Sequence, residues 1–327
     1  MRGQKSAADN IAPNFLKSIL RIAGKICAAT VALHLAVIGT PLRADDAKAH
    51  AIKLHGIENA FRVTKRIIAG SQPQDSDAFA ALAKAGVKTI ISVDGEKPWV
   101  EEAKMHGMRY VHLPFGYDGI SAIRVAELVK AAAPDAGKIF VHCHHGKHRG
   151  PAAVGVICEA TAGWTPVQSE TWLRQAGTAD EYPGLYRAVR EFRMPTAEQI
   201  AAIGQLPEIA KTPPLVDAMV TIGDWFDQLK LELLGNWSAK GTTARRLATH
   251  TTVALLEQLR ELARTGDMAS RPENFRRLLA DSEKSVTTLL GITDHDEPST
   301  TADLARELKH VTECCADCHK MYRNVKN

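Results

Sequence analysis

Ile139-Phe140-Val141-His142-Cys143-His144-His145-Gly146-Lys147-His148-Arg149-Gly150-Pro151 is the stretch on which the reading of this chain turns. Its first three residues are apolar and two of them β-branched, the composition of a short buried strand. Gly146 lets the backbone turn without a Cβ clash, and Pro151 suits the first turn of a helix. A strand, a tight loop and a helix start in succession point backbone N–H groups inward around an anion. The helix N-terminus adds partial positive charge there, which favours both a phosphate and a cysteine thiolate.

Outward from this stretch, short β-branched runs alternate with longer helical patterns. Ile67-Ile68-Ala69-Gly70 reads as a strand, followed by an Ala-rich amphipathic stretch through Lys84 that Gly86 stops. Thr89-Ile90-Ile91-Ser92-Val93 is a second strand, residues 101–106 a helix, Tyr110-Val111-His112-Leu113 a strand and residues 123–133 a helix. This alternation predicts an α/β domain, a mainly parallel sheet flanked by helices, over residues 45–195.

The chemistry of the loop follows from its residue types. Arg149 offers a planar fork suited to bidentate phosphate binding, and Cys143 is placed to attack phosphorus and form a phosphocysteine. His144, His145, Gly146, Lys147 and His148 complete a donor-rich phosphate-binding loop. The histidines also admit a metal-site reading, although a His-rich tract alone sets no ligand geometry. Cys158 lies about 13 Å along the following helix, out of disulfide reach of Cys143, and reads as a core residue.

His142-Cys143-x-x-Gly146-x-x-Arg149 resembles the cysteine-based phosphatases of the tyrosine and dual-specificity superfamily. Ile68-Ala69-Gly70-Ser71-Gln72-Pro73 and Gly86-Val87-Lys88-Thr89-Ile90-Ile91 resemble the opening of its compact bacterial members. The resemblance spans residues 60–180 and implies a phosphoric monoester hydrolase with Cys143 as nucleophile and Arg149 as phosphate clamp. It also implies an aspartate general acid. Asp118, in Leu113-Pro114-Phe115-Gly116-Tyr117-Asp118-Gly119, is the first candidate and Asp94 the second. The chain departs from the family at Gly150, where a Ser or Thr hydroxyl ordinarily helps the thiolate leave, so slow turnover, or phosphate binding without turnover, is the alternative. Lys147 occupies a position where inositol-phosphate and lipid phosphatases often carry lysine.

Beyond Met194-Pro195 the strand signals end. Residues 196–212, with Pro207 and Lys211-Thr212-Pro213-Pro214, read as a linker. Four helical patterns follow over residues 213–327. Leu215, Met219, Ile222, Phe226, Leu229 and Leu233 mark the first, and Leu255, Leu259 and Leu262 the second. Phe275, Leu279, Val286 and Leu289, after Pro272, mark the third, and Leu304, Leu308, Val311, Cys315, Cys318 and Tyr322 the fourth. A four-helix bundle is the expected architecture.

Within the fourth helix, Cys315-Ala316-Asp317-Cys318-His319 has the spacing of a c-type haem attachment site. The two thiols and the imidazole share one helix face, which predicts one covalent haem c per chain with His319 on the iron. Zinc would need further ligands at matched spacing, and none is visible nearby. With Tyr322 and Arg323 following, this region resembles the cytochrome c prime family. The resemblance implies a distal face lined by the first helix, with Met219 or Leu215 opposite the histidine and Met219 as candidate sixth ligand. His250 and His310 are the other candidates.

The chain has 327 residues, ample for two domains. Arg2, Lys5, Lys17, Arg21 and Lys25 precede an apolar run from Ile26 to Gly39, and a small residue, Ala44, precedes Asp45. Residues 1–44 read as a signal peptide, or a membrane anchor if left uncleaved, and predict export to the periplasm. Attachment of c-type haem outside the cytoplasm agrees. Six basic residues against Asp9 make this segment +5 of a total net charge of +4, which leaves residues 45–327 near −1. Nucleic-acid binding has no electrostatic support. The expected partners are a phosphorylated protein or small phosphoester, a redox partner, and a second copy through the helical bundle. A haem that senses redox state or a small gas is one expected role of the C-terminal region, and electron transfer the other.

Overall fold

In the computed structural model the described residues are 49–234, 242–294 and 301–324. The expected signal peptide and its cleavage near Asp45 lie outside them.

Six strands form one sheet in the order β1-β2-β3-β6-β4-β5. They are β1 (His50–Ala51), β2 (Phe61–Arg62), β3 (Ile67–Ser71), β4 (Val87–Ser92), β5 (Arg109–His112) and β6 (Lys138–Cys143). β3, β6, β4 and β5 run parallel, as the alternating pattern predicts. β1 and β2 add an antiparallel edge, so the sheet is mixed. Two-residue strands carry no hydrophobic period to read, which is why this edge is silent in the sequence.

The period-two alternation of the central strands builds a core on each face. Ala69, Ile91, Val111, Ile139 and Val141 point to one side, against α3 (Ala122–Ala131), α4 (Arg149–Ala162), α5 (Pro166–Gln175) and α6 (Pro183–Arg190). Ile68, Ile90, Tyr110 and Phe140 point to the other, against α1 (Ser76–Lys84) and α2 (Val100–Met105). Burial on both faces explains why these strands read as nearly unbroken apolar runs.

Residues 196–212 are not a bare tether. They contain α7 (Ala197–Ala202), started by a Thr196–Gln199 capping box. Beyond it, Lys130 Nζ donates to the Ile203 and Gly204 carbonyls. The His112 N–H donates to the Pro207 carbonyl at 2.9 Å, and the Ala210 N–H donates to His112 Nδ1 at 3.1 Å.

The described residues of the C-terminal region form five helices: α8 (Pro214–Leu234), α9 (Thr242–Arg264), α10 (Gly266–Ser270), α11 (Glu273–Asp294) and α12 (Thr301–Tyr322). Ile222, Leu229, Leu255, Leu259, Phe275, Leu279, Leu289, Leu304 and Val311 share one apolar core. α9 packs broadly on α8 and α11, and α11 on α12, whereas α12 meets α8 only sparsely. On α8, Leu215, Met219 and Phe226 stay half-buried where Ile222, Leu229 and Leu233 are buried.

Candidate active site

The loop from Cys143 to Arg149 is held from below and from the side. Its left-handed Gly146 (φ +67°) lies so close to β3 that a Cβ there would stand 2.3 Å from the Gly70 carbonyl carbon. Only glycine fits. The Asn59 side chain donates to the Gly146 carbonyl at 3.0 Å, the Gln72 N–H to the His144 carbonyl at 3.0 Å, and the Thr178 hydroxyl to the Lys147 carbonyl at 2.7 Å. Three of the loop's carbonyls are thus held by three separate segments, and the Gly146 N–H donates to the Cys143 carbonyl at 3.2 Å. α4 begins at Arg149, two residues before Pro151.

Cys143 is 4% exposed at the end of β6. Arg149 packs its guanidinium over the Tyr117 ring at 4.8 Å, and its buried Nε has no hydrogen-bond partner among the described residues. A buried cationic donor left without an acceptor is costly unless an anion completes it. At Gly150 a Cβ would lie 3.5 Å from Cys143 Sγ and 3.2 Å from its backbone nitrogen. The position adjoins the thiol, yet has little spare room for the hydroxyl side chain the family ordinarily places there.

The two acid candidates differ in access. Asp94 is 2% exposed; one carboxylate oxygen accepts the Glu96 N–H at 2.8 Å, and the other lies 3.9 Å from His142 Nδ1 without a hydrogen bond. Burial pushes His142 down to about 4, which keeps it neutral, and the Tyr110 hydroxyl bonds its Nε2 at 2.6 Å. Asp118 is half-buried, next in the chain to the Tyr117 that Arg149 stacks on, and its backbone carbonyl accepts from Arg187 at 2.6 Å.

The side chains of His144 and His145 are engaged by carboxylates. His144 lies 3.4 Å from Glu96 through Nδ1 and 3.4 Å from Asp227 through Nε2, while His145 Nε2 lies 3.7 Å from the same Asp227 oxygen. The hydrogen bonds that His144 donates to Asp227 and Glu96 raise it to about 10. For Asp227, burial pushes upward, but the His144 and Lys230 contacts outweigh it and hold the carboxyl at about 2. Asp227 and Lys230 belong to α8, so the helical region touches the loop directly. These ligand atoms also cluster closely enough for a metal ion, with Asp224 as a further neighbour of Glu96 and His144.

Lys147 is exposed. His148 accepts the Ala179 N–H on Nδ1 at 3.4 Å and packs against Tyr182 (4.6 Å) and Tyr117 (6.4 Å). Burial and the surrounding cations lower it to about 4. Tyr182, Glu96 and Asp227 carry no local motif, and nothing in the sequence marks them.

On α12, Cys318 is buried and Cys315 and His319 half-buried, with Cys315 against the helical core. Burial raises the Cys315 thiol to about 11 and, with Arg323 nearby, lowers His319 to about 4. Neither ring nitrogen of His319 has a hydrogen-bond partner among the described residues. His250 and His310 are both exposed. Cys158 is fully buried and free, as expected of a core residue.

Comparison with known proteins bears on the α/β region. Residues 60–203 match the family described as Swiss Army Knife protein, DSP-PTPase phosphatase domain. The dual specificity protein phosphatase TpbA of Pseudomonas aeruginosa is 24% identical over 127 residues, 38% of this chain and 56% of that protein. The chain thus spans about half the length of the curated relatives it matches. Among solved structures, the crystal structure of P. aeruginosa TpbA aligns at 21% identity with a TM-score of 0.39, covering 45% of this chain and 91% of that one. The catalytic domain of the S. cerevisiae PP-IP phosphatase SIW14 aligns at 19% identity with a TM-score of 0.39, covering 43% and 89%. Residues 60–203 are therefore similar to dual-specificity phosphatase domains.

Proposed function

We propose that this protein is an exported phosphoric monoester hydrolase that works through Cys143, joined to a four-helix bundle carrying one covalent haem c. The buried Nε of Arg149, without a hydrogen-bond partner among the described residues and on the loop that begins at Cys143, is the observation that carries the first half. In the reaction, Cys143 Sγ attacks phosphorus as the ester P–O bond breaks, and the Asp118 carboxyl protonates the departing oxygen. Water then attacks the phosphocysteine, gives a proton back to the Asp118 carboxylate, and releases phosphate and the thiolate. Arg149 and the loop N–H groups stabilise the phosphoryl oxygens in both steps.

The sparse α8–α12 contact, the half-buried Leu215, Met219 and Phe226, and a His319 that follows Cys315 and Cys318 on one helix and has no side-chain hydrogen bond among the described residues support a haem cradle between the first and last helices. Cys315 and Cys318 would hold the porphyrin covalently, His319 would ligate iron, and Met219 is the candidate opposite it. Bound there, haem supplies reversible one-electron chemistry and gas ligation. α8 carries both Met219 and Asp227, which supports a link between haem state and the loop. Gly150 favours a second reading, in which the α/β domain holds phosphorylated ligands without turnover and the haem serves electron transfer or gas binding.

The deciding experiment is hydrolysis of 4-nitrophenyl phosphate by haem-loaded protein and its Cys143→Ser variant. Activity abolished in the variant is expected. Phosphate binding with no hydrolysis in either protein would overturn the hydrolase reading in favour of the second.

A further inference from the structure

Arg323, one residue beyond α12, leaves the helical region and reaches the rim of the phosphate loop. Its guanidinium lies 4.4 Å from the centroid of Tyr117 and 5.9 Å from that of Tyr182, and donates to the Tyr182 hydroxyl at 3.3 Å. Its Nε donates to Asn324 at 3.0 Å. No carboxylate pairs with it among the described residues. Glu96 and Asp227, two of the acidic groups that approach the loop, are occupied by His144, His145 and Lys230. Arg149 sits 4.8 Å from the same Tyr117 centroid, so the two guanidinium groups are no further apart than these two distances together. Two phosphate groups on a short linker can bridge that span.

We propose that Arg323 is a specificity-determining residue that binds a second phosphate group, and that the substrates are small phosphomonoesters carrying one close to the phosphate being cleaved. The inference rests on the phosphatase reading of the Cys143 loop. A guanidinium pre-oriented on two tyrosine rings and without a carboxylate partner among the described residues is suited to bidentate phosphate recognition. Exposed Lys147 adds positive charge at the same loop. The substrate pocket is then completed by the C-terminal region.

The test is calorimetric binding to the full-length haem-loaded Cys143→Ser protein, with inorganic phosphate and methylenebisphosphonate as ligands. The bisphosphonate should bind on the order of tenfold tighter than phosphate, the value of one charge-assisted contact. Adding Arg323→Ala should bring the ratio close to one while phosphate affinity stays unchanged, which also shows that the variant is folded. Arg323→Lys should fall between. A ratio that persists in Arg323→Ala, or no discrimination in the parent while wild type hydrolyses 4-nitrophenyl phosphate, overturns this inference alone. Failure of the parent to bind either ligand overturns the phosphate-site reading and this inference with it.

Discussion

Replacing Gly146 with alanine would place a Cβ 2.3 Å from the Gly70 carbonyl carbon and 2.5 Å from the Ser71 nitrogen, where the neighbours are strand backbone and cannot swing aside. Alanine at φ +67° costs roughly 1–2 kcal/mol for the left-handed conformation. Overpacking against β3 adds about 1–3 kcal/mol. The expected loss is therefore about 2–5 kcal/mol, a fall in Tm of roughly 5–15 °C by calorimetry. Relieving the contact requires the loop to move by about 1 Å, a displacement that typically lowers catalysis on the order of a hundredfold. Gly163→Ala is the control: it has a left-handed φ of +67° but nothing within 4 Å of the new Cβ, so it reports conformational cost without the clash. Equal Tm shifts for the two variants, or a Gly146→Ala protein with more than half the wild-type kcat/KM, would refute the reasoning.

Four further outcomes are expected. The Asp227–His144 contact should stabilise the protein most between about pH 4 and 6.5. His144, raised to about 10, loses its contribution as pH climbs from 6.5 through 10, and Asp227, lowered to about 2, loses its own as pH falls from 3.8 towards 2. The Tm difference between wild type and Asp227→Asn should therefore shrink on going from pH 6 to pH 10, and a constant or growing difference would sink this linkage. Asp118→Asn should lower kcat on an alkyl phosphate about 10²–10⁴-fold and act far less on 4-nitrophenyl phosphate, whose leaving group needs little protonation; equal losses on both would remove Asp118 as the acid. Cys318→Ser should cut the covalently bound haem retained after denaturation, and Met219→Ala should shift the visible spectrum if the side chain ligates iron. An unchanged spectrum would eliminate Met219 as ligand.

Most of the parallel sheet was legible because each central strand is buried on both faces and therefore apolar along its length. The antiparallel edge was not, since β1 and β2 are two residues long, too short to show a hydrophobic period. The choice between Asp94 and Asp118 was open in one dimension, because both follow a strand and precede glycine. Their burial differs, which no local pattern records: Asp94 is 2% exposed, whereas Asp118 is half-buried and next in the chain to the tyrosine that Arg149 covers.

By itself the sequence determined the two short constellations, Cys143 to Arg149 and Cys315 to His319. Each is contiguous, so a loop turning at Gly146 and one helical turn bring their functional atoms together without help from distant chain. Tertiary structure alone decided what surrounds them. Asp227 meets His144 across 83 positions, and Arg323 meets Tyr182 across 141. Contacts of that span depend on how helices dock against the sheet, which buried apolar area sets without regard to the polar residues carried along. No local pattern records them.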